Sequence, residues 1–158
     1  MDVAKLLTQV KNNEITIEQA EEQLKNLPYE DLGFAKLDHH RKVRQGFDEV
    51  VYCQGKAIEH LVKIYQTLTA EGIDVLGTRA TREQYEAVKE AVPEAVWDDI
   101  SRILKVEKRE KEHIGRIVVC TGGTADVPVA EEAAQVAEFF GTNVVRLFDV
   151  GVAGIHRL

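Results

Sequence analysis

Hydrophobic positions along the chain fall into three successive patterns. In the first 27 residues they recur at helical spacing, with Val3, Leu6, Leu7 and Val10 in one stripe and Ile17, Ala20, Leu24 and Leu27 in a second. This predicts a helical hairpin over residues 2–27 that serves as a packing or oligomerisation arm. Asn12-Asn13 suits the turn between the helices, Thr16 followed by Gln19 has capping-box spacing, and Pro28 stops the second helix. Residues 29–48 lose this periodicity and accumulate hydrogen-bonding side chains, a composition suited to a site. From Glu49 onward short apolar runs alternate with amphipathic ones. Strands are expected at 50–53, 73–78, 95–97 and 103–106, and helices at 57–68 and 83–92, the latter ended by Pro93. The first of these form a βαβ unit.

The mixed-charge run 105–116 has few apolar positions and reads as an exposed linker or solvated helix. A boundary is therefore expected near Gly115, giving an N-terminal α/β domain at 1–114 and a second unit at 115–158. That unit opens with an apolar strand at 117–120, a loop at 121–126, a helix at 128–140 and a second apolar strand at 143–148. Apolar runs joined through a helix predict parallel strands covered on both faces. One βαβ unit cannot bury two sheet faces alone, so it is expected to dock on the first domain or a partner chain, or to begin a longer polypeptide.

Composition narrows the function. The 158 residues are 44% hydrophobic and 30% charged, enough for one core or one core plus part of a second. Twenty Lys and Arg against 27 Asp and Glu give a net charge of −7, which disfavours non-specific nucleic-acid binding. No run approaches the roughly 18 apolar residues of a bilayer span, and the first residues lack signal-peptide character. No membrane partner and a cytoplasmic location are expected. Cys53 and Cys120 have no CxxC partner, so they read as small buried hydrophobes at strand ends, and Trp97 reads as core.

Three constellations can carry chemistry. Gly122 and Gly123 sit between a strand and a helix, where free amides at a helix N-terminus cradle a phosphate. Pro128 fits that helix's first turn, and Asp126 either closes the helix or hydrogen-bonds a ribose hydroxyl. The loop matches neither GxGxxG nor the P-loop. Asp38, His39, His40, Arg41, Arg44 and Lys56 form a second group, in which Arg41 and Arg44 share a helical face able to grip a phosphate or carboxylate. The other reading of this group is a solvated basic turn. In the third, Gly77-Thr78-Arg79-Ala80-Thr81-Arg82 follows a strand and precedes a helix, so Thr78 or Thr81 caps while Arg79 points to the carboxyl edge of the sheet.

These spaced motifs, Asp38-His39-His40-Arg41, Arg44-Gln45-Gly46-Phe47-Asp48-Glu49-Val50, Gly55-Lys56, Gly77-Thr78-Arg79 and the run from Gly122-Gly123-Thr124-Ala125-Asp126 to Ala133, closely resemble the LarB family. Its members are pyridinium-3,5-biscarboxylic acid mononucleotide synthases, relatives of the phosphoribosylaminoimidazole (AIR) carboxylases. The resemblance spans nearly the whole chain. It implies an N-terminal α/β domain followed by the first βαβ of an AIR-carboxylase-like, flavodoxin-like parallel-sheet domain, assembled as a homo-octamer. It also implies carboxylation of the pyridinium ring of nicotinic acid adenine dinucleotide, with hydrolysis that releases AMP. The product serves the nickel-pincer nucleotide cofactor of lactate racemase, and carbon dioxide or bicarbonate is the co-substrate.

In AIR carboxylases the glycine loop has the form Gly-Ser-x-Ser-Asp and holds the ribose phosphate. By resemblance Gly122, Gly123, Thr124 and Asp126 inherit that role, with Gly123 and Ala125 in place of the serines. The Ser-Ala-His-Arg segment that follows the second strand in those enzymes is missing, since His156-Arg157 lies several residues later. This departure favours the LarB branch over purine synthesis. A pyridinium ring must first accept a nucleophile, and in the family this is a cysteine late in the carboxylase-like domain. It is expected beyond Leu158, so the chain is expected to be truncated and inactive by itself. Phosphoanhydride cleavage asks for positive charge, with Arg41, Arg44, Lys56 and Arg79 as candidates. Thr124 and Asp126 could help place a magnesium ion, though no metal-binding residues are assigned. The alternatives are an AIR carboxylase and a non-catalytic adenine-nucleotide-binding module.

Overall fold

Thr16 caps its helix as the spacing predicts: its Oγ1 accepts from Gln19 N at 3.2 Å while Gln19 Oε1 accepts from Thr16 N at 2.9 Å. Just before it, Asn13 turns the chain with a left-handed φ of 58°, so α1 (Val3–Lys11) and α2 (Ile17–Lys25) form the expected hairpin. Its apolar stripes are narrower than expected. Leu6 and Ala20 are buried while Leu7 and Ile17 are exposed, because two short helices can hide only the positions that face one another. The computed structural model describes residues 3–25, 30–38 and 47–157, and the chain divides into two units, Met1–Glu49 and Val50–Leu158. The first unit also contains the antiparallel pair β1 (Glu30–Asp31) and β2 (Lys36–Leu37), closed by Leu32 N donating to Ala35 O at 2.9 Å. Pro28 lies outside the described residues.

The second unit contains β3 (Val50–Tyr52), α3 (Ile58–Ala70), β4 (Val75–Thr78), α4 (Arg82–Ala91), β5 (Val96–Trp97), β6 (Leu104–Val106), β7 (Arg116–Cys120), α5 (Val127–Phe139) and β8 (Asn143–Leu147). Short 3-10 turns occupy Thr124–Asp126 and Val152–Arg157. The α/β class and each expected strand and helix of this unit are present. Four strands form one sheet in the order β3-β4-β6-β5, with β3 and β4 parallel and the other pairs antiparallel. Buried Leu61, Ile64, Tyr65 and Leu68 recur along one face of α3, and the continuous run Val75-Leu76-Gly77 is buried, as a central strand covered on both faces must be.

Gly77 is where this core is tightest. Tyr65 Oη donates to Leu104 O at 2.7 Å directly over it. A Cβ at residue 77 would overlap Tyr65 Oη, lie 2.7 Å from Cys53 Sγ and 3.2 Å from Leu104 O.

The βαβ unit β7-α5-β8 forms a separate parallel two-stranded sheet, with Ile117 paired to Val144 and Val119 to Arg146. It docks through its helix: Phe139 of α5 packs in one buried cluster with Leu76 of β4 and Ile103. Within this chain Ile117, Val118, Val145 and Leu147 are exposed, in keeping with the expectation that one βαβ unit cannot bury both faces of its two strands alone. The expected boundary near Gly115 falls inside the second unit.

The exposed linker expected at 105–116 is present after β6, with every residue from 107 to 116 exposed except half-buried Lys111, but it is tethered to the surface it crosses. Lys108 N donates to Asp74 Oδ1 at 2.7 Å, and Lys111 Nζ meets Asp74 Oδ2 at 3.1 Å and Glu107 Oε1 at 3.1 Å. Arg109 donates to Gly72 O at 2.7 Å, and the Lys111 ammonium sits 3.6 Å from the centroid of the Phe139 ring. Alternating charges allow this because Lys105, Lys108, Arg109 and Lys111 each find a carboxylate, carbonyl or ring on the surface they cross.

Two outcomes follow from this packing. Gly77→Ala should lower the unfolding free energy by about 2 kcal/mol through overpacking, read as a reduced urea midpoint. Burial alone would raise the pKa of Asp74, but the Lys108 amide, Lys111 and Arg109 outweigh it and hold the carboxyl below its ordinary value. A folded-state pKa below the unfolded one adds stability that is complete at neutral pH and disappears as pH falls from about 4 through the folded value. Asp74→Asn should therefore reduce stability at pH 7, and urea titrations should show the gap to the wild type narrowing as the solution is acidified.

Candidate functional site

At the carboxyl ends of the parallel strands β3 and β4 the chain makes two loops that Gln84 ties together. Thr81 caps α4: its side chain accepts from Gln84 N at 3.2 Å, and Gln84 Oε1 accepts from Thr81 N at 3.0 Å. Thr81, not Thr78, is thus the cap. The Gln84 amide then donates to both Cys53 O and Lys56 O at 3.0 Å, fixing the loop that carries exposed Lys56. Sequence reading missed Gln84, although Thr81-Arg82-Glu83-Gln84 has capping-box spacing.

Arg79 leaves β4 with a left-handed φ of 54°, and its half-exposed guanidinium approaches Glu132 Oε1 of α5 at 3.8 Å. This contact joins the edge of the four-stranded sheet to the helix that follows the glycine loop. Open α/β sheets take ligands at the carboxyl ends of their strands, so Arg79 stands where an anion could be gripped. Arg41 and Arg44, with His39 and His40, lie outside the described residues.

The glycine loop is built by Thr121, which is buried and binds the parallel neighbour. Thr121 N donates to Leu147 O at 3.1 Å, Val150 N donates to Thr121 O at 2.9 Å, and Asp149 N donates to Thr121 Oγ1 at 2.9 Å. Gly151 passes so close that a Cβ there would overlap Gly122 O. Thr121 and Gly151 were not singled out from the sequence, because their role depends on β8 lying beside β7. Neither Gly122 nor Gly123 has a positive φ, and a Cβ on Gly123 would meet nothing within 4 Å.

Asp126 resolves its two readings in an unexpected way. Its Oδ2 reaches back to accept from Gly123 N at 3.2 Å. That amide, expected to be free, is met by the protein's own carboxylate. Thr124 begins the 3-10 turn, and Pro128 occupies the first turn of α5 as anticipated. Among the described residues no group of three or more His, Cys, Asp or Glu gathers as metal ligands.

Farther along α5 a strong ion pair stiffens the unit. Arg146 of β8 donates to Glu131 at 2.7 and 2.8 Å and to Glu138 at 2.5 and 2.8 Å. The Arg146 hydrogen bonds hold the Glu131 carboxyl below its ordinary pKa, against the opposing effect of partial burial. Trp97 is partly buried, stacked on Tyr85 at 5.6 Å with Arg82 over its ring.

The two thiols differ sharply. Cys53 is fully buried, and burial pushes its pKa up to about 11 against smaller opposing effects of Tyr65 and Lys56. Cys120 is exposed, which corrects the expectation that both are buried; it lies on the uncovered two-stranded sheet. Iodoacetamide on the native protein should modify Cys120 and leave Cys53 intact until unfolding, as read by peptide mass spectrometry. Equal labelling of both would contradict the packing around Gly77.

Among the described residues no helix is long and apolar enough to cross a membrane. The profile of the LarB/PurE-like N-terminal domain matches residues 29–109, a segment that contains β3 to β6, Lys56 and Arg79. An uncharacterized protein of Methanocaldococcus jannaschii is 34% identical over 165 aligned positions, covering 97% of this chain and 63% of the relative. The chain thus spans less than two thirds of that relative's length. The profile match, which covers half of its residues, places this chain in the LarB and AIR-carboxylase-related family.

Proposed function

We propose that the chain supplies the nucleotide-holding part of an enzyme that carboxylates the pyridinium ring of nicotinic acid adenine dinucleotide and hydrolyses its phosphoanhydride. The Arg79–Glu132 contact carries this reading, because it sets a guanidinium on the sheet edge against the helix that follows the glycine loop. A dinucleotide substrate presents a pyrophosphate that such a cation can neutralise.

The chemistry divides the work. A thiolate adds to the ring and turns the cation into an electron-rich dienamine, whose nucleophilic carbon forms a bond to carbon dioxide. The ring proton at that carbon then leaves to a base, and expulsion of the thiolate restores the aromatic cation. Separately, water attacks one phosphorus of the anhydride, the bridging P–O bond breaks, and AMP leaves. Cys53 does not suit ring addition, being buried and protonated at neutral pH. In this reading the thiolate belongs to a later segment of the family's carboxylase-like domain, and residues 1–158 contribute binding.

Lys56, Arg79, Gly122 and Thr124 hold the phosphates and ribose in this proposal, with Arg41 and Arg44 as further cations, whereas the Gly123 amide is already taken by Asp126. Asp126 already meets Gly123 N and among the described residues joins no group of three or more metal-ligating side chains; a magnesium ion in this proposal is carried on the phosphates themselves. Assembly into a homo-octamer and a role in supplying the nickel-pincer nucleotide of lactate racemase belong to the same proposal.

Calorimetry separates this from the alternatives. Nicotinic acid adenine dinucleotide should bind the protein more tightly than AMP or aminoimidazole ribotide. Tightest binding of the ribotide would assign the chain to purine-type carboxylation, and tightest binding of AMP would leave an adenine-nucleotide module; either contradicts the proposal.

A further inference from the structure

Two arginines beside β4 adopt a backbone conformation that bulky residues seldom take: φ is 54° at Arg79 and 58° at Arg102. Their main chains are clasped together. Ala80 N donates to Arg102 O at 2.9 Å, while Arg102 Nε donates to Ala80 O at 3.1 Å and its Nη2 to Arg79 O at 3.2 Å. The Arg102 side chain thereby caps the carbonyls of the turn that presents Arg79. Left-handed strain of this kind persists only where its surroundings over-determine it, and it concentrates at sites that bind.

The Arg79 guanidinium is held far less firmly. Its Nε is 3.8 Å from Glu132 Oε1, and the arginine side chain is 51% exposed. On the same helix Glu131 grips Arg146 at 2.7 Å, the length of a fully formed charge-assisted hydrogen bond. One arginine is thus locked into the fold while the other keeps donors available and has a carboxylate standing nearby.

We propose that Arg102 is a positioning residue whose clasp aims the Arg79 guanidinium at a pyrophosphate group, and that Glu132 is the resting counter-ion this anion displaces. The inference rests on the proposed function only for the identity of the molecule bearing the pyrophosphate. No bond is made or broken: a carboxylate–guanidinium contact is exchanged for a phosphate–guanidinium one, which is stronger because the phosphate oxygens carry more charge and accept in the bidentate geometry that the guanidinium offers.

The test is a calorimetric titration of the 158-residue protein with inorganic pyrophosphate at fixed ionic strength, with circular dichroism to confirm folding of each variant. Arg79→Gln should weaken binding at least about tenfold. Glu132→Gln should tighten it about threefold, a gain that loss of a merely structural ion pair would not produce. Arg102→Gln should weaken binding, and the Arg79→Gln/Arg102→Gln pair should bind no more weakly than Arg79→Gln alone, since Arg102 acts through Arg79. Absent binding of pyrophosphate, no tightening in Glu132→Gln, or additive losses in the double variant would each overturn the inference. If these results hold while the dinucleotide fails to outrank the other nucleotides, only the proposed function falls.

Discussion

A single ammonium group sets the relation between the two sheets of the second unit. Lys111 Nζ lies between Asp74 at the entry to β4, Glu107 just after β6 and the ring of Phe139 at the end of α5. Each partner belongs to a different element, so the cation is satisfied in one arrangement of the three. Because its side chain is only 20% exposed, withdrawing one carboxylate leaves a charge that water reaches poorly. The apolar cluster of Leu76, Ile103 and Phe139 supplies attraction without direction, and the lysine supplies direction.

That arrangement has a chemical consequence. Once α5 is fixed against β4, Glu132 comes within reach of Arg79, and the glycine loop at the head of α5 belongs to the same unit as the carboxyl edge of β3 and β4. Strain lies in these loops and not in the core: Arg79 and Arg102 have left-handed backbones beside this edge, and Asp149 has one in the loop after β8. The core is tight in a different way, with Gly77 leaving space for Tyr65 and Cys53 to approach. At Gly77 the strand packs closely on Cys53, where the first loop begins, while Gln84 fastens the loop itself through two carbonyls.

The elements of the second unit were legible because hydrophobic period reports local geometry directly. The capping pair Thr16 and Gln19 and the first-turn proline of α5 were legible for the same reason, as each acts within one helical turn. What escaped depends on partners distant in sequence. The charged run after β6 is the exposed linker its composition predicts, but its anchoring through Lys108 N to Asp74, more than thirty residues earlier, is invisible in the pattern. Cys120 looks like a core thiol because β7 is apolar, and is exposed because its sheet has two strands. Asp126 could be read as a helix cap or a ribose ligand, whereas its reach back to Gly123 requires the 3-10 turn that the sequence pattern does not announce. The LarB resemblance pointed to the family that the profile match shows, and Arg79 was marked by position while Arg102 and Glu132, which hold and face it, were not.

With Phe139 of α5 packed on Leu76 and Ile103, β3 to β6 and β7-α5-β8 behave as one cooperative body, so that the sheet edge and the glycine loop keep a constant geometry. Native-state hydrogen exchange in increasing denaturant tests it most directly. Amides of β4 and α5 should converge on the same opening free energy and the same denaturant dependence. Exchange of β7, α5 and β8 through a lower-energy opening, with β3, β4 and β6 still protected, would contradict it.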